Sequence, residues 1–275
     1  MNDLPPGALH PVTVITGASA GLGAELAKVF ASHGHALVLV ARREAELRAL
    51  ADELAALPAQ AGRPRALVVA MDLARPDAAD QLVATLTGAG VEPAYVVNNA
   101  GFGLVGAAAA LPRDRQRAMV DLNIGALTDL SLAFLDSLRR HRGGILNVAS
   151  LAGFLPGPGM AVYYATKAYV VSLSEALHKE LAPEGIRVTA LCPGPVPTEF
   201  QKRAGVAAES YPPFVTRSAA ATAAMGYEGL MQGRRIVVPG LAGRLVLALP
   251  RLLPRGWLLS LSGKRELRRV RARQG

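Results

Sequence analysis

Cysteine is almost missing from this chain: one residue, Cys192, in 275. A single thiol closes no internal disulfide, which agrees with a reducing compartment and makes Cys192 a core thiol rather than a cross-link or a nucleophile. Clustered metal ligands are missing as well. The five histidines are scattered, no cysteines are paired and no His-Glu-x-x-His run occurs, so no resident metal is expected. The opening residues, Met1-Asn2-Asp3-Leu4-Pro5-Pro6, lack the basic stretch and apolar run of a secretory leader, and a cytoplasmic location is expected. Neither a linker nor a block of charge interrupts residues 11–240, and no internal repeat is visible. With 51% hydrophobic residues this length predicts one core and one domain over residues 1–240, followed by a distinct tail over 241–275.

What is present is a regular alternation. Short apolar runs bounded by Gly, Pro or Asn predict seven strands: Val12–Thr16, Ala36–Ala41, Ala66–Met71, Ala94–Asn98, Gly144–Ala149, Ile186–Cys192 and Arg235–Pro239. Apolar residues at three- and four-residue intervals predict helices just after Gly23 and over Glu44–Leu57, Pro76–Thr87, Asp114–His141 and Tyr163–Leu181. Each helix is long enough to cross over to the next parallel strand. The expected fold class is therefore α/β, a Rossmann-like doubly wound sheet of seven parallel strands flanked by helices, with ligands at the strands' carboxyl ends.

Two local patterns sit where such a sheet places its ligands. After the first apolar run come Thr16, Gly17, Ala18, Ser19, Ala20, Gly21, Leu22 and Gly23, then a helical stretch. Glycines there allow a tight turn and close approach to a pyrophosphate, and the free N–H groups of the helix start receive its charge. The second pattern is Ser150, at the end of a β-like run, followed by Tyr163 and then by Lys167 four residues on. An offset of four puts Tyr163 and Lys167 on one helix face, where an ammonium beside a phenol favours its ionised form. Tyr164 points about 100° away around the same helix and is expected to pack or to line the cleft.

Thr16 to Gly23, Asn98-Asn99-Ala100-Gly101, Asn123, Ser150, Tyr163, Lys167 and the run Pro193 to Thr198 together resemble the short-chain dehydrogenase/reductase family in order and spacing, over about residues 11–240. The resemblance implies an oxidoreductase that interconverts a ketone or aldehyde and an alcohol. It implies Tyr163 as the acid or base, Ser150 as the hydrogen-bond donor to the carbonyl oxygen, and Lys167 as binder of the nicotinamide ribose and activator of Tyr163. Asn123 would kink its helix around a water that relays protons to Lys167. Cofactor contacts fall on Gly17, Ser19, Ala20, Gly21, Leu22, Gly23, Asn99, Ala100, Gly101, Tyr163, Lys167, Pro193, Gly194, Val196 and Thr198. Asp72 and Leu73 resemble the family's adenine-contacting pair, although an Asp at that point also reads as an ordinary turn cap.

Cofactor choice turns on the end of the second strand. An NAD enzyme commonly carries an acid there for the ribose 2′-hydroxyl, and this chain has Ala41 followed by Arg42 and Arg43. A guanidinium pairs bidentately with a 2′-phosphate, so NADP(H) is expected, through one of the two arginines. Phe102, Phe154, Leu155 and Met160, with Phe200, Val206, Tyr211 and Phe214 from a lid over about 198–217, point to a hydrophobic carbonyl substrate or to a subunit contact; a homodimer or homotetramer is expected. A cofactor-sensing protein without turnover is the competing reading, and the intact Asn-Ser-Tyr-Lys set argues against it.

The tail carries most of the charge. From Arg244 onward nine basic residues face the single acid Glu266, holding eight of the chain's nine net positive charges. Leucines and Trp257 lie between them, broken by Pro250 and Pro254, too interrupted for a spanning helix. Two readings stand: a peripheral contact with anionic membrane, or packing of the apolar side on the domain or a second subunit. Nucleic acid is not expected, because no recognition motif accompanies the arginines.

Overall fold

The computed structural model of the chain describes residues 9–199 and 216–240, together with Gly256 and Leu259. The alternation read from the sequence becomes seven strands: β1 His10–Thr16, β2 Leu37–Ala41, β3 Leu67–Ala70, β4 Val91–Asn98, β5 Gly144–Val148, β6 Arg187–Leu191 and β7 Ile236–Val237. All pair in parallel in the order β3-β2-β1-β4-β5-β6-β7. The order reverses between β1 and β4, and the crevice at their carboxyl ends is where such sheets bind ligands. The expected doubly wound parallel sheet is thus the observed one.

Helices cover both faces. On one side α1 (Gly21–Ser32), α2 (Glu44–Ala55) and a helix near the chain's end pack Leu26, Phe30, Leu47 and Leu50 against Ile15, Leu39 and Leu146. On the other, α3 (Ala78–Gly88), α5 (Leu127–Ala133), α6 (Leu135–His141) and α7 (Ala161–Leu181) bury Leu82, Leu130, Leu138 and Leu177 against Val14, Val40, Val96 and Ile145. β2, β5, β6 and the second half of β1 are buried on both faces and therefore read as continuous apolar runs in the sequence.

Two elements depart from expectation. The single helix expected over Asp114–His141 is three: α4 (Arg113–Val120), a π-helical segment Asp121–Ala126 leading into α5, and α6 after a break at Phe134. The apolar spacing persists through the insertion, so periodicity alone could not place it. The second departure is α8 (Ala219–Met231), whose small residues give little amphipathic pattern. Its glycines permit close packing: a Cβ on Gly229 would lie 2.1 Å from Val237, and one on Gly226 2.8 Å from Leu191. Tyr227 then stacks on His33 at 4.1 Å and meets Phe30 edge-on at 4.9 Å, fixing α8 against α1.

Candidate active site

The glycine loop is held from behind by the turn that follows β4. Thr16 Oγ1 donates to Val97 O (3.2 Å) and accepts from the backbone N–H groups of Asn99 (2.9 Å) and Ala100 (3.0 Å). Asn99 returns the contact, its Nδ2 donating to Thr16 O (2.9 Å) and Gly17 O (3.3 Å). Gly17 has φ +65° and its missing Cβ would sit 2.8 Å from Asn99 Nδ2, so this turn requires glycine twice over. Gly23 has no positive φ, but a Cβ there would meet Gly17 O at 2.3 Å. Beyond the turn, α1 starts at Gly21 with Ala20 as an N-cap that offers no side-chain hydrogen bond, and no acid stands in its first turn. Its first N–H groups therefore have no carboxylate of their own helix to satisfy them, which fits a pyrophosphate.

The two arginines after β2 part company. Arg42 is exposed, while Arg43 folds back on the loop, its Nε and Nη2 donating to Ser19 Oγ (3.3 and 3.2 Å) and Nη2 also to Ser19 O (3.2 Å). Asp72 is exposed and its Oδ1 accepts from Ala74 N (3.1 Å), the turn-capping geometry; Leu73 beside it is buried beneath the crevice. From the far side, Thr198 lies against the loop, 3.1 Å from where a Cβ of Gly21 would be, and its Oγ1 donates to Val196 O (3.3 Å).

Further along the carboxyl edge, β5 delivers Ser150. Its Oγ accepts from Ala152 N (3.1 Å) and donates at 3.5 Å to Pro193 O, the carbonyl that also receives Leu151 N (2.9 Å). The Pro193-Gly194 segment after β6 is thereby tied to the serine. Tyr163 and Lys167 are both buried on one face of α7, with Lys167 Nζ 5.9 Å from the Tyr163 ring centre and donating to Val148 O at 2.7 Å. Burial pulls the Lys167 ammonium down to about 8, and Cys192, the neighbour whose thiolate form would raise it, is itself pushed up by burial to about 12 and stays a neutral thiol at pH 7.

Asn123 sits in the π segment, 1% exposed. Its Oδ1 accepts from Phe102 N (3.1 Å), and Nδ2 donates to Phe102 O (3.0 Å) and Thr166 Oγ1 (3.1 Å). Both amide hydrogens are thus engaged by protein atoms. Behind it a buried relay crosses the sheet: Asn98 Nδ2 donates to Ser131 Oγ and Asn147 Oδ1, and Asn147 Nδ2 to Ser174 Oγ, locking β4 and β5 to α5 and α7. Asn98 and Asn147 stand side by side in the β4–β5 register, a pairing that no local sequence pattern announces.

Tyr164 meets Tyr163 edge-on at 6.2 Å and lies flat over Gly157, whose Cβ would be 2.2 Å from the Tyr164 ring. With Met119, Met160 and Tyr163, it joins an apolar cluster to which Phe102, Leu104 and Val105 also belong. Phe154 and Leu155 border the same loop, whereas Phe200, Val206, Tyr211 and Phe214 of the expected lid lie outside the described residues. Among the described residues no group of three metal-ligating side chains converges. Sequence reasoning did not single out Gly157 or Thr166, each of which acts through contacts with a separate element.

The sequence profile described as short chain dehydrogenase matches residues 11–208. A sulfoacetaldehyde reductase of Chromohalobacter salexigens is 38% identical over 189 residues, covering 68% of this chain and 72% of that protein. Among solved structures, a short-chain dehydrogenase from Sphingobium yanoikuyae in complex with NADPH is 34% identical with a TM-score of 0.76, covering 86% of this chain and 90% of that one. The bulky-bulky ketone specific alcohol dehydrogenase from Comamonas testosteroni is 28% identical with a TM-score of 0.71, covering 94% and 93%. The seven-stranded parallel sheet agrees with these likenesses, and the chain belongs to the short-chain dehydrogenase family, a family of NAD(P)(H) oxidoreductases.

Proposed function

We propose that the protein is an NADP(H)-dependent reductase of a hydrophobic ketone or aldehyde, with Asn123, Ser150, Tyr163 and Lys167 as its working set. The observation that carries this is the burial of Tyr163 and Lys167 one turn apart at the carboxyl edge, next to a strand end that presents Ser150. Bound along the loop, the nicotinamide supplies the hydride. Tyr163 gives its phenolic proton to the carbonyl oxygen, and Ser150 Oγ donates a hydrogen bond to the same oxygen. Lys167 makes the phenolate easier to form, since a tyrosine at its ordinary pKa of ~10 is a weak base at neutral pH. Asn123 holds the wall formed by Phe102 and Thr166 and so positions the π segment beside Lys167, where a water would relay protons.

The preference for NADP(H) rests on Arg43, which stands on Ser19 of the phosphate loop, with Arg42 as the outer member of the pair. Gly17, Ala20, Gly21, Leu22, Gly23, Asn99, Ala100, Gly101, Pro193, Gly194, Val196 and Thr198 complete the cofactor cradle, and Asp72 with Leu73 border the adenine. The apolar cluster around Tyr163 supports a hydrophobic substrate, and the family's habit of assembling supports a homo-oligomer. A panel of ketones, aldehydes and oxoacyl thioesters followed by NADPH absorbance tests the reading. Tyr163→Phe is expected to lower turnover by roughly 10²–10⁴-fold while NADPH binding persists, and Tyr164→Phe to be mild. Equal loss in both variants contradicts the assignment of Tyr163.

A further inference from the structure

Arg43 is shared. Beyond its bonds to Ser19, its Nη1 pairs with Glu46 Oε1 at 3.1 Å, and its Nη2 pairs with Glu199 Oε2 at 3.2 Å. The two carboxylates differ in origin. Glu46 comes from the first turn of α2, three residues along the same helix start, and takes the nitrogen turned away from the loop. Glu199 arrives from across the cofactor crevice, directly after Thr198, which lies on Gly21. Its oxygen sits on Nη2, the nitrogen that also donates to Ser19 O and Oγ. The donor edge that faces the phosphate loop therefore already has an anionic partner from this chain.

Resting on the NADP(H) reading above, we propose that Glu199 is a cofactor-specificity residue: it occupies the Nη2 edge of Arg43 and must yield that edge to the 2′-phosphate of NADPH. A ribose 2′-hydroxyl makes no such demand. A guanidinium holds a phosphate best through two parallel N–H donors, and a carboxylate on one of them both blocks that fork and repels the incoming dianion. Glu199 thus weakens NADPH while leaving NADH untouched, and it holds the cofactor preference below what Arg43 alone would give. Both members of the pair are partly exposed, so the effect is moderate and is reduced by salt.

Calorimetric titration of the full-length protein with NADPH and NADH tests this without a carbonyl substrate. Glu199→Gln and Glu199→Ala are each expected to tighten NADPH about three- to tenfold at low salt and to leave NADH within about twofold. Glu46→Gln, the control for bulk charge, is expected to change the NADPH to NADH ratio by less than about twofold. In an Arg43→Ala background the gain from Glu199→Gln should vanish. If wild type prefers NADPH and Glu199→Gln leaves the ratio unchanged, or if Glu46→Gln matches its effect, this proposal fails and the NADP(H) reading stands. A wild type that prefers NADH and is not shifted by Glu199→Gln overturns both.

Discussion

An ammonium that is 5% exposed, with a backbone carbonyl as its acceptor, sits where water cannot solvate it, one helical turn from Tyr163. The difference between the usual 10.5 and about 8 corresponds to roughly 3 kcal/mol at neutral pH. Lys167→Met removes the buried charge but leaves Val148 O without its donor, a loss of about 1–2 kcal/mol. The variant is therefore expected to be about 1–2 kcal/mol more stable than wild type at pH 7 in the absence of cofactor, and to have lost turnover. The sign follows from protons bound. Between about 8 and 10.5 the unfolded lysine holds its proton and the folded one releases it, so wild-type stability rises with pH across that window. The advantage of Lys167→Met should fade there, and urea melts at pH 7 and pH 9.5 check it. A variant less stable than wild type at pH 7 would mean that Lys167 is held by attraction and not against burial. The Tyr163–Lys167 pair was legible because an offset of four is a property of the helix itself. The separate places of Arg42 and Arg43 were not, because adjacent residues at a strand end diverge according to what lies above them, and Ser19 and Glu199 are close only after folding.

At the scale of elements, the helix expected over Asp114–His141 shows what periodicity reports and what it omits. Apolar spacing marks a face, and the π segment Asp121–Ala126 keeps that face while inserting the register change that brings Asn123 to Phe102. A buried asparagine in mid-helix was the local signal that something other than a plain helix was needed. Asn123→Ala deprives Phe102 N, Phe102 O and Thr166 Oγ1 of a partner at once, in a buried part of the site. A loss of about 2–4 kcal/mol is expected by urea denaturation, together with reduced turnover. If Asn123 acted through its relay water alone, turnover would fall and stability would hold. The loop at Gly157 makes a companion case. Gly157→Ala sets a Cβ 2.2 Å from the Tyr164 ring, which has to swing, so a cost of about 1–3 kcal/mol is expected and Tyr164→Ala should relieve it. Neither contact can be seen in the sequence, since each joins a loop to a helix packed over it.

Across the whole molecule, charge is divided unevenly. Residues before Arg244 are nearly neutral, and the tail holds nine bases against Glu266. Apart from Gly256 and Leu259 the tail lies outside the described residues, so its two readings are separated by experiment. Among the described residues no single helix is long and apolar enough to cross a membrane. β7 ends at Val237, Val238 is buried, and every candidate catalytic and cofactor residue precedes residue 240. Deleting residues 241–275 is therefore expected to spare NADPH binding. If the tail is an interfacial anchor, the same deletion abolishes sedimentation with vesicles rich in anionic lipid. Salt should weaken wild-type sedimentation only in part, because leucines and Trp257 add a contribution that screening does not remove. Full-length protein that ignores such vesicles at low salt rules the anchor out. Loss of a dimer on truncation, measured without lipid, assigns the apolar side of the tail to a subunit contact.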